Sequence, residues 1–307
     1  MSKRTRCPRT KPTPQPKRTN WLKHWPLMTG ICLTVSAIVV VSWYFNSQAA
    51  RSRLITPMVD IPAEPARPDP AVPLLLTRSD LEPFFTDQHI GLLATRVAER
   101  LPQYADWWRE VAGFANRCTL DVILQTHEYP GIGPTEMAAI QKKQRRIVEL
   151  LDYLRPNLIG DEGHDLDTLN LTTCEQSVID YARQSGQPFD PIEIHQLVLA
   201  DTASDPMLIY LRHHPTARII GYEDNDLNAL HYTALGLIGP SQTGADYESL
   251  HYKLASTRSF VALVRVLKTM RHEHRLHGAL IIGYRHSADL ESLCRRLGLR
   301  RRFYNLS

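Results

Sequence analysis

One long apolar segment near the N-terminus constrains this 307-residue chain more than any other feature of its sequence. No Lys, Arg, Asp or Glu lies between Lys23 and Arg51, and residues 27–45 are mostly apolar. A helix of about 20 apolar residues crosses the ~30 Å hydrocarbon layer of a membrane. Aromatic rings favour the membrane interface, and Trp25, Trp43 and Tyr44 lie near the two ends of the segment. We therefore expect one transmembrane helix over residues 25–45.

The charges that flank this segment predict its orientation. Residues 1–23 contain eight basic side chains and no acidic one. Because a positive flank is retained in the cytoplasm, the tail over residues 1–24 should be cytoplasmic and the rest exported, to the periplasm or the cell exterior. A cleaved signal peptide is the competing interpretation, with a small-residue site at Ser47-Gln-Ala49. Signal peptides usually have a shorter apolar region of ~7–15 residues, so we favour an uncleaved signal anchor in the lipid bilayer.

The basic tail also accounts for the net charge of the chain, which is +4. The remaining 28 basic residues are outnumbered by 32 acidic ones, so residues 24–307 carry a charge of −4. No nucleic-acid partner is expected from this balance. Three cysteines follow the apolar segment, and no pair of them has the spacing of metal ligands: Cys118, Cys174 and Cys294. Hydrophobic residues make up 43% of the chain, which excludes wholesale disorder.

A proline-rich stretch over residues 46–75 separates the apolar segment from the rest of the chain. It contains six prolines: Pro57, Pro62, Pro65, Pro68, Pro70 and Pro73. Proline lacks the backbone N–H and stiffens the chain, so this stretch predicts a linker without regular hydrogen bonding. The linker would space an exported domain, residues 76–307, from the membrane.

Strand and helix patterns alternate through this domain. Short β-branched runs predict strands over residues 119–125, 158–161, 218–221 and 279–283, and an edge strand over 303–306. Amphipathic patterns predict helices in the lead-in over residues 79–115 and then over 135–154, 173–183, 226–238 and 247–275, with a last helix from Ser287. Such alternation is typical of an α/β domain with a largely parallel sheet of about four strands, covered by helices on both faces.

Two of the helix starts carry capping signals in the sequence. Ser79 followed by Glu82 has the spacing of a capping box, so we expect Ser79 to cap the first helix. Ser287 is expected to cap the last one.

Ionisable residues follow all four main strands. His127 comes shortly after the first strand, Glu162 after the second, Glu223 after the third and His286 after the fourth. The carboxyl ends of parallel strands meet at one edge of the sheet, where ligands bind. A single polar residue at a strand end is usually structural, but the repetition at four strands predicts a site. Two imidazoles with carboxylates could hold a divalent metal, or a carboxylate could pair with an imidazole that acts as a general base.

The order of these residues resembles a superfamily that joins TraB/PrgY-like proteins, Tiki proteases, ChaN-like haem-binding proteins and erythromycin esterase-like hydrolases. Gly283-Tyr-Arg-His286 fits its second GxxH motif, Glu162 its glutamate, and Arg258 the arginine on a later helix. Gly221-Tyr-Glu-Asp224 fits the strand that opens its second half. Leu124-Gln-Thr-His127 fits the first GxxH motif except that leucine replaces glycine. The resemblance spans residues 118–306.

The resemblance implies three alternative functions, of which we rank a membrane-anchored hydrolase first. There His127, Glu162, Glu223 and His286 would bind a divalent metal or transfer protons, while Arg258 would hold a substrate carboxylate or an oxyanion.

The second alternative is a haem-binding or other ligand-binding module, with Tyr222 and Tyr284 as iron ligands beside the two histidines. The third is a regulatory protein with a vestigial site, as the leucine at position 124 suggests. Family membership alone does not select among these functions.

Overall fold

A computed structural model describes residues 57–64, 71–125, 134–163, 165–184, 205–238 and 245–306, together with Asp190, Ile192 and His195. The basic tail over residues 1–24, the apolar segment over residues 25–45 and His127 lie outside the described residues. Among the helices that are described, none combines the length and the apolar character that a membrane crossing requires.

The described residues contain six strands in one sheet, which is largely parallel. The strands are β1 Val59–Ile61, β2 Thr119–Gln125, β3 Leu158–Asp161, β4 Ile219–Gly221, β5 His277–Gly283 and β6 Arg300–Asn305. Their order across the sheet is β1-β6-β2-β5-β3-β4, and only β1 runs antiparallel to its neighbour. The predicted α/β class is therefore confirmed, with more strands than the four expected.

Helices cover both faces of the sheet. They are α1 Arg78–Leu81, α2 Gly91–Ala115, α3 Pro134–Leu154, α4 Leu171–Gln184, α5 Pro206–His213, α6 Asn225–Leu237, α7 Ala245–His272 and α8 Ser287–Arg296. Side chains of α2, α6, α7 and α8 form one apolar core, and side chains of α3, α4 and α5 form the other. Alternate residues of the central strands enter the two cores: Val122 and Leu280 face α7, whereas Ile123 and Ile281 face α3. This two-sided burial explains why β2 and β5 are apolar almost throughout.

The outer strand of the sheet differs from the prediction. Residues near 303–306 were expected at an edge, but β6 lies between β2 and β1. Strand β1 comes from the proline-rich stretch, where the backbone N–H of Met58 donates to the carbonyl of Phe303 at 2.7 Å. Pro57 and Pro62 flank this strand at an exposed sheet edge, the position in a sheet that tolerates proline.

The two capping predictions are wrong in detail. Thr77, not Ser79, caps α1: its hydroxyl accepts from the Asp80 backbone, while the Asp80 carboxylate accepts from the Thr77 backbone at 2.8 Å. Ser287 is the first residue of α8, and the cap position is occupied by His286, without a side-chain cap bond. The backbone turn between β5 and α8 therefore fixes the position of His286.

Two glycines allow α7 to lie close against the sheet. A Cβ atom at Gly160 in β3 would overlap the Cγ2 atom of Val266 in α7. A Cβ atom at Gly278 in β5 would lie 2.7 Å from the Sδ atom of Met270. Because α7 also carries Arg258, the distance between helix and sheet determines how deeply that arginine reaches the strand ends.

We predict that Gly160→Ala destabilises the fold more than Gly278→Ala. Valine in a helix has one strongly preferred rotamer and cannot move aside, whereas the flexible methionine can. Overpacking of this kind costs about 1–3 kcal/mol in the free energy of unfolding. Urea denaturation of both variants measures the difference, and a Gly160→Ala protein as stable as the wild type would contradict the close approach.

Candidate active site

The carboxyl edge of the sheet brings four of the five predicted site residues together. Glu162 follows β3, Glu223 lies two residues beyond β4, and His286 ends the 3-10 turn Tyr284–His286 that follows β5. Arg258 reaches the same place from α7. The chain leaves β2 for a helix on one face and leaves the adjacent β5 for a helix on the other, which is the topology that creates a binding crevice in such sheets.

Arg258 lies between two carboxylates and is buried with them. Its Nη2 atom donates to Oε1 of Glu223 at 2.6 Å and to Oε1 of Glu162 at 3.3 Å. Burial opposes the charge of the guanidinium, but the carboxylates of Glu223 and Glu162 outweigh this effect and raise the pKa of Arg258. Buried ion pairs often stabilise a fold no better than apolar packing would, so stability alone does not account for this arrangement.

The carboxylate of Glu162 is fixed from two sides. Its Oε2 atom accepts a hydrogen bond from the backbone N–H of Gly283 at 2.7 Å, while Oε1 faces Arg258. The Nε2 atom of His286 lies 4.0 Å from the same Oε1. The end of β5 thus positions Glu162, and Glu162 in turn faces both the guanidinium and the imidazole.

A serine and an aspartate orient the imidazole of His286. The Oγ atom of Ser259 lies 2.8 Å from Nδ1 of His286, 3.3 Å from Oδ2 of Asp289 and 3.2 Å from the carbonyl of Ala255. A hydroxyl has one proton, and the carboxylate and the carbonyl act only as acceptors here. These contacts are consistent when Ser259 donates its proton to one of these oxygens and accepts from the Nδ1–H of His286. In the neutral imidazole, that tautomer leaves the lone pair on Nε2, which faces Glu162.

Two further histidines lie beside Arg258. Its Nη1 atom donates to Nδ1 of His231 at 3.1 Å, and Nε2 of His231 lies 2.8 Å from Nδ1 of His251. Arginine only donates, so Nδ1 of His231 is the acceptor and its proton is on Nε2. That N–H donates a hydrogen bond to Nδ1 of His251. Burial, with the charge of Arg258, lowers the pKa of His231 to about 3.

Neither His231 nor His251 is among the site residues that the sequence pattern predicts. His231 lies among the apolar residues Leu227, Leu230 and Ala234 on the buried face of α6. A buried imidazole requires a hydrogen-bond partner, so a histidine on an apolar helix face indicates a buried polar contact nearby.

The last residue of β3 adds a buried carboxyl group beside the cluster. Asp161 is almost fully buried. Burial, reinforced by the charges of Asp205 and Glu162, raises the pKa of Asp161 well above its usual range. The site therefore combines a carboxyl group that favours its protonated form with a permanently charged guanidinium.

The two tyrosines predicted as iron ligands occupy different environments. Tyr222 is buried, and its hydroxyl donates to the carbonyl of Ile281 at 2.8 Å. It is thus held within the sheet and not directed towards a ligand. Tyr284 is 47% exposed in the 3-10 turn before His286. Within the described part of the chain, no three His, Cys, Asp or Glu side chains form a group that could hold a metal ion.

No protein-family model, curated protein or solved structure matches this chain. The resemblance to the TraB, Tiki, ChaN and erythromycin esterase-like superfamily therefore stays a prediction, based on the motif residues. The chemistry of the site is inferred from its own geometry.

The depressed pKa of His231 predicts a pH-dependent stability. The unfolded chain binds a proton on this imidazole below about pH 6.5, whereas the folded protein does so only near pH 3. Between these values the unfolded state holds more protons, so stability falls as the pH decreases. His231→Asn, which keeps an acceptor for Arg258, should lose about 1 kcal/mol less per pH unit than the wild type between pH 6 and 4.

Urea unfolding at several pH values measures this difference between the two slopes. His213→Asn, at an exposed position, is the matched control and should retain the slope of the wild type. Equal slopes in the His231→Asn variant and the wild type would show that His231 is not buried in its neutral form.

Proposed function

We propose that this protein is a hydrolase of ester or amide bonds with an acid/base site formed by His286, Glu162 and Arg258. The observation that carries the proposal is the buried guanidinium between two carboxylates, beside an oriented imidazole, at the carboxyl ends of three parallel strands. In this proposal His286 is the base, Glu162 stabilises the protonated form of His286, and Arg258 supplies a fixed positive charge.

His286 is suited to act as the general base. Its Nε2 atom would take a proton from an attacking water molecule, and the resulting imidazolium would be stabilised by Glu162, whose Oε1 atom is 4.0 Å away. The Ser259 hydroxyl would hold the ring in place through Nδ1. General-base catalysis by a positioned side chain contributes about 10²–10⁴-fold to the rate.

Arg258 is suited to bind the negative charge of the substrate or of the developing oxyanion. Within the described residues its Nε atom is buried and has no hydrogen-bond partner. Buried donors are nearly always paired, so a donor left unpaired at a strand-end crevice supports a binding role. A guanidinium held in place before the reaction stabilises charge without reorganisation.

The described residues fit a divalent metal poorly. Glu162 and Glu223, the carboxylates predicted as metal ligands, both accept hydrogen bonds from Arg258 through their Oε1 atoms. A cation placed between these oxygens would lie beside the guanidinium and be repelled by it. The geometry therefore favours proton transfer between side chains over metal-assisted hydrolysis.

We also propose that the hydrolase is exported and anchored in the lipid bilayer through residues 25–45. Support comes from the length of the apolar segment and from the eight basic residues that precede it. The proline-rich stretch after the segment, of which residues 57–64 and 71–75 are described, would connect the two.

We predict that His286→Ala and Glu162→Gln each lower hydrolysis by about 10²–10⁴-fold, because each removes part of the general-base pair. A panel of chromogenic esters and anilides, assayed with the full-length protein in detergent, provides the measurement. Hydrolysis should persist after treatment with a chelator. If a chelator abolished activity and a divalent metal restored it, the metal-free mechanism would be wrong.

Unchanged hydrolysis in both variants would contradict the proposed site. An absorbance spectrum of the same preparation tests the ligand-binding alternative. A haem band that is lost in His286→Ala would favour that function over hydrolysis.

We predict that Ser259→Ala changes the pH profile of kcat/KM, because the tautomer and orientation of His286 depend on this hydroxyl. The rate should fall by about 10-fold or more, a loss of roughly 1.4 kcal/mol in transition-state stabilisation. Ser256→Ala is the matched control: this buried serine lies on the same helix, and its Oγ has no hydrogen-bond partner within the described residues. Identical profiles for the two variants would exclude the positioning role of Ser259.

A further inference from the structure

A pocket lies at the edge of the sheet opposite the candidate active site. It has a volume of about 550 Å³, within the usual range for ligand pockets, and is lined by Thr119, Tyr153, Leu154, His277, Arg300 and Arg302. Thr119, His277 and Arg300 begin the neighbouring strands β2, β5 and β6 and lie side by side in register. At about 3.3 Å per residue along β2, the pocket is roughly 20 Å from the carboxyl edge.

A buried aspartate fixes two of the basic side chains in this pocket. Asp121 accepts hydrogen bonds from Nε of Arg302 at 2.5 Å, from Nη2 of Arg302 at 2.7 Å and from Nε2 of His277 at 2.7 Å. Asp121 has no exposed surface, so both partners are held by a rigid anchor. The Nη1 group of Arg302 and the Nδ1 atom of His277 take no part in these bonds with Asp121 and are the remaining nitrogens that a ligand can meet.

Arg300 gives the pocket a positive charge that Asp121 does not balance. The carboxylate of Asp121 is matched by Arg302, whereas among the described residues Arg300 forms only a loose ion pair, with Asp60 at 3.8 Å. The side chain of Arg300 is 49% exposed. Basic residues often offset the dipole at a helix C-terminus, but Arg300 lies on a strand, and sheets have only small dipoles.

Another pocket at the same edge is a weaker candidate for binding an anion. It lies on the other face of the sheet and contains Arg117, Arg271 and His274. Glu110 also lines that pocket and pairs with Arg271 at 3.6 Å and with His272 at 2.8 Å. Its positive charge is thus partly balanced by the protein itself.

We propose that the pocket formed by β2, β5, β6 and the end of α3 binds a small organic anion. Arg300 and Arg302 would bind its phosphate or carboxylate group, because the guanidinium fork matches both in geometry. Tyr153 and Leu154 provide a wall for the apolar or aromatic part of the same molecule. This pocket does not overlap the candidate active site, and the inference does not depend on the proposed hydrolysis.

Calorimetric titration of the full-length protein tests the proposal with phenyl phosphate and with benzoate at constant ionic strength. Saturable binding of at least one probe is expected, and Arg300→Ala should weaken it at least 10-fold. Tighter binding of phenyl phosphate would identify the ligand class as a phosphate, and tighter binding of benzoate as a carboxylate. Arg295→Ala, at a surface arginine paired only with Glu291 among the described ion pairs, should bind like the wild type.

Absence of saturable binding by either probe would overturn the proposal, as would equal affinity in Arg300→Ala and the wild type. Loss of binding in His286→Ala but not in Arg300→Ala would also overturn it, because the probe would then occupy the active-site crevice. Arg300 is half-exposed and only loosely paired, so its replacement should leave the fold intact, and a thermal unfolding curve checks this.

Discussion

Removing a guanidinium from water costs several kcal/mol unless carboxylates accompany it, and the domain meets this requirement at Arg258. Glu162 and Glu223 come from the ends of two adjacent parallel strands, β3 and β4, and converge on the arginine from α7. The helix must therefore lie close to the sheet, which the small residues Gly160 and Gly278 permit. The rest of the crevice depends on this one charge and the geometry that it requires.

The groups around Arg258 divide into charged and neutral partners. Two carboxylates share its positive charge, while the neutral ring of His231 accepts a hydrogen bond from its Nη1 atom and donates in turn to His251. His286 belongs to a separate chain of hydrogen bonds through Ser259 and Asp289. Because Arg258 and Ser259 are consecutive on α7, a single helical turn positions both the guanidinium and the hydroxyl that contacts the imidazole of His286.

Much of this domain could be read from local sequence, and its central strands illustrate why. The apolar runs at 119–125 and 158–161 predict β2 and β3 with the bounds that the structure has, because both strands are buried on each face. The polar residues that follow strands lead directly to Glu162, Glu223 and His286, since parallel strands bring their carboxyl ends together.

The parts that could not be predicted depend on contacts between distant segments. Ser259 and His231 gain their roles only through partners on other elements, 27 residues away in sequence. Strand β1 was not predicted because it lies among prolines. The first half of β6 was not predicted because it consists of three consecutive arginines. The sequence does not predict that Arg300 lies beside Thr119 and His277, because this placement depends on the register of three parallel strands.

The sheet ends on both sides in a three-residue strand, β1 at one edge and β4 at the other. Unpaired strand edges are templates on which a second chain can add by backbone hydrogen bonding. The long strand β6 would be such a template if β1 did not cover it, and the prolines on either side of β1 leave little backbone for another chain to pair with. Strand β1 and its flanking prolines thereby protect the domain against edge-to-edge aggregation, a role distinct from the spacer role that the sequence predicts for this stretch.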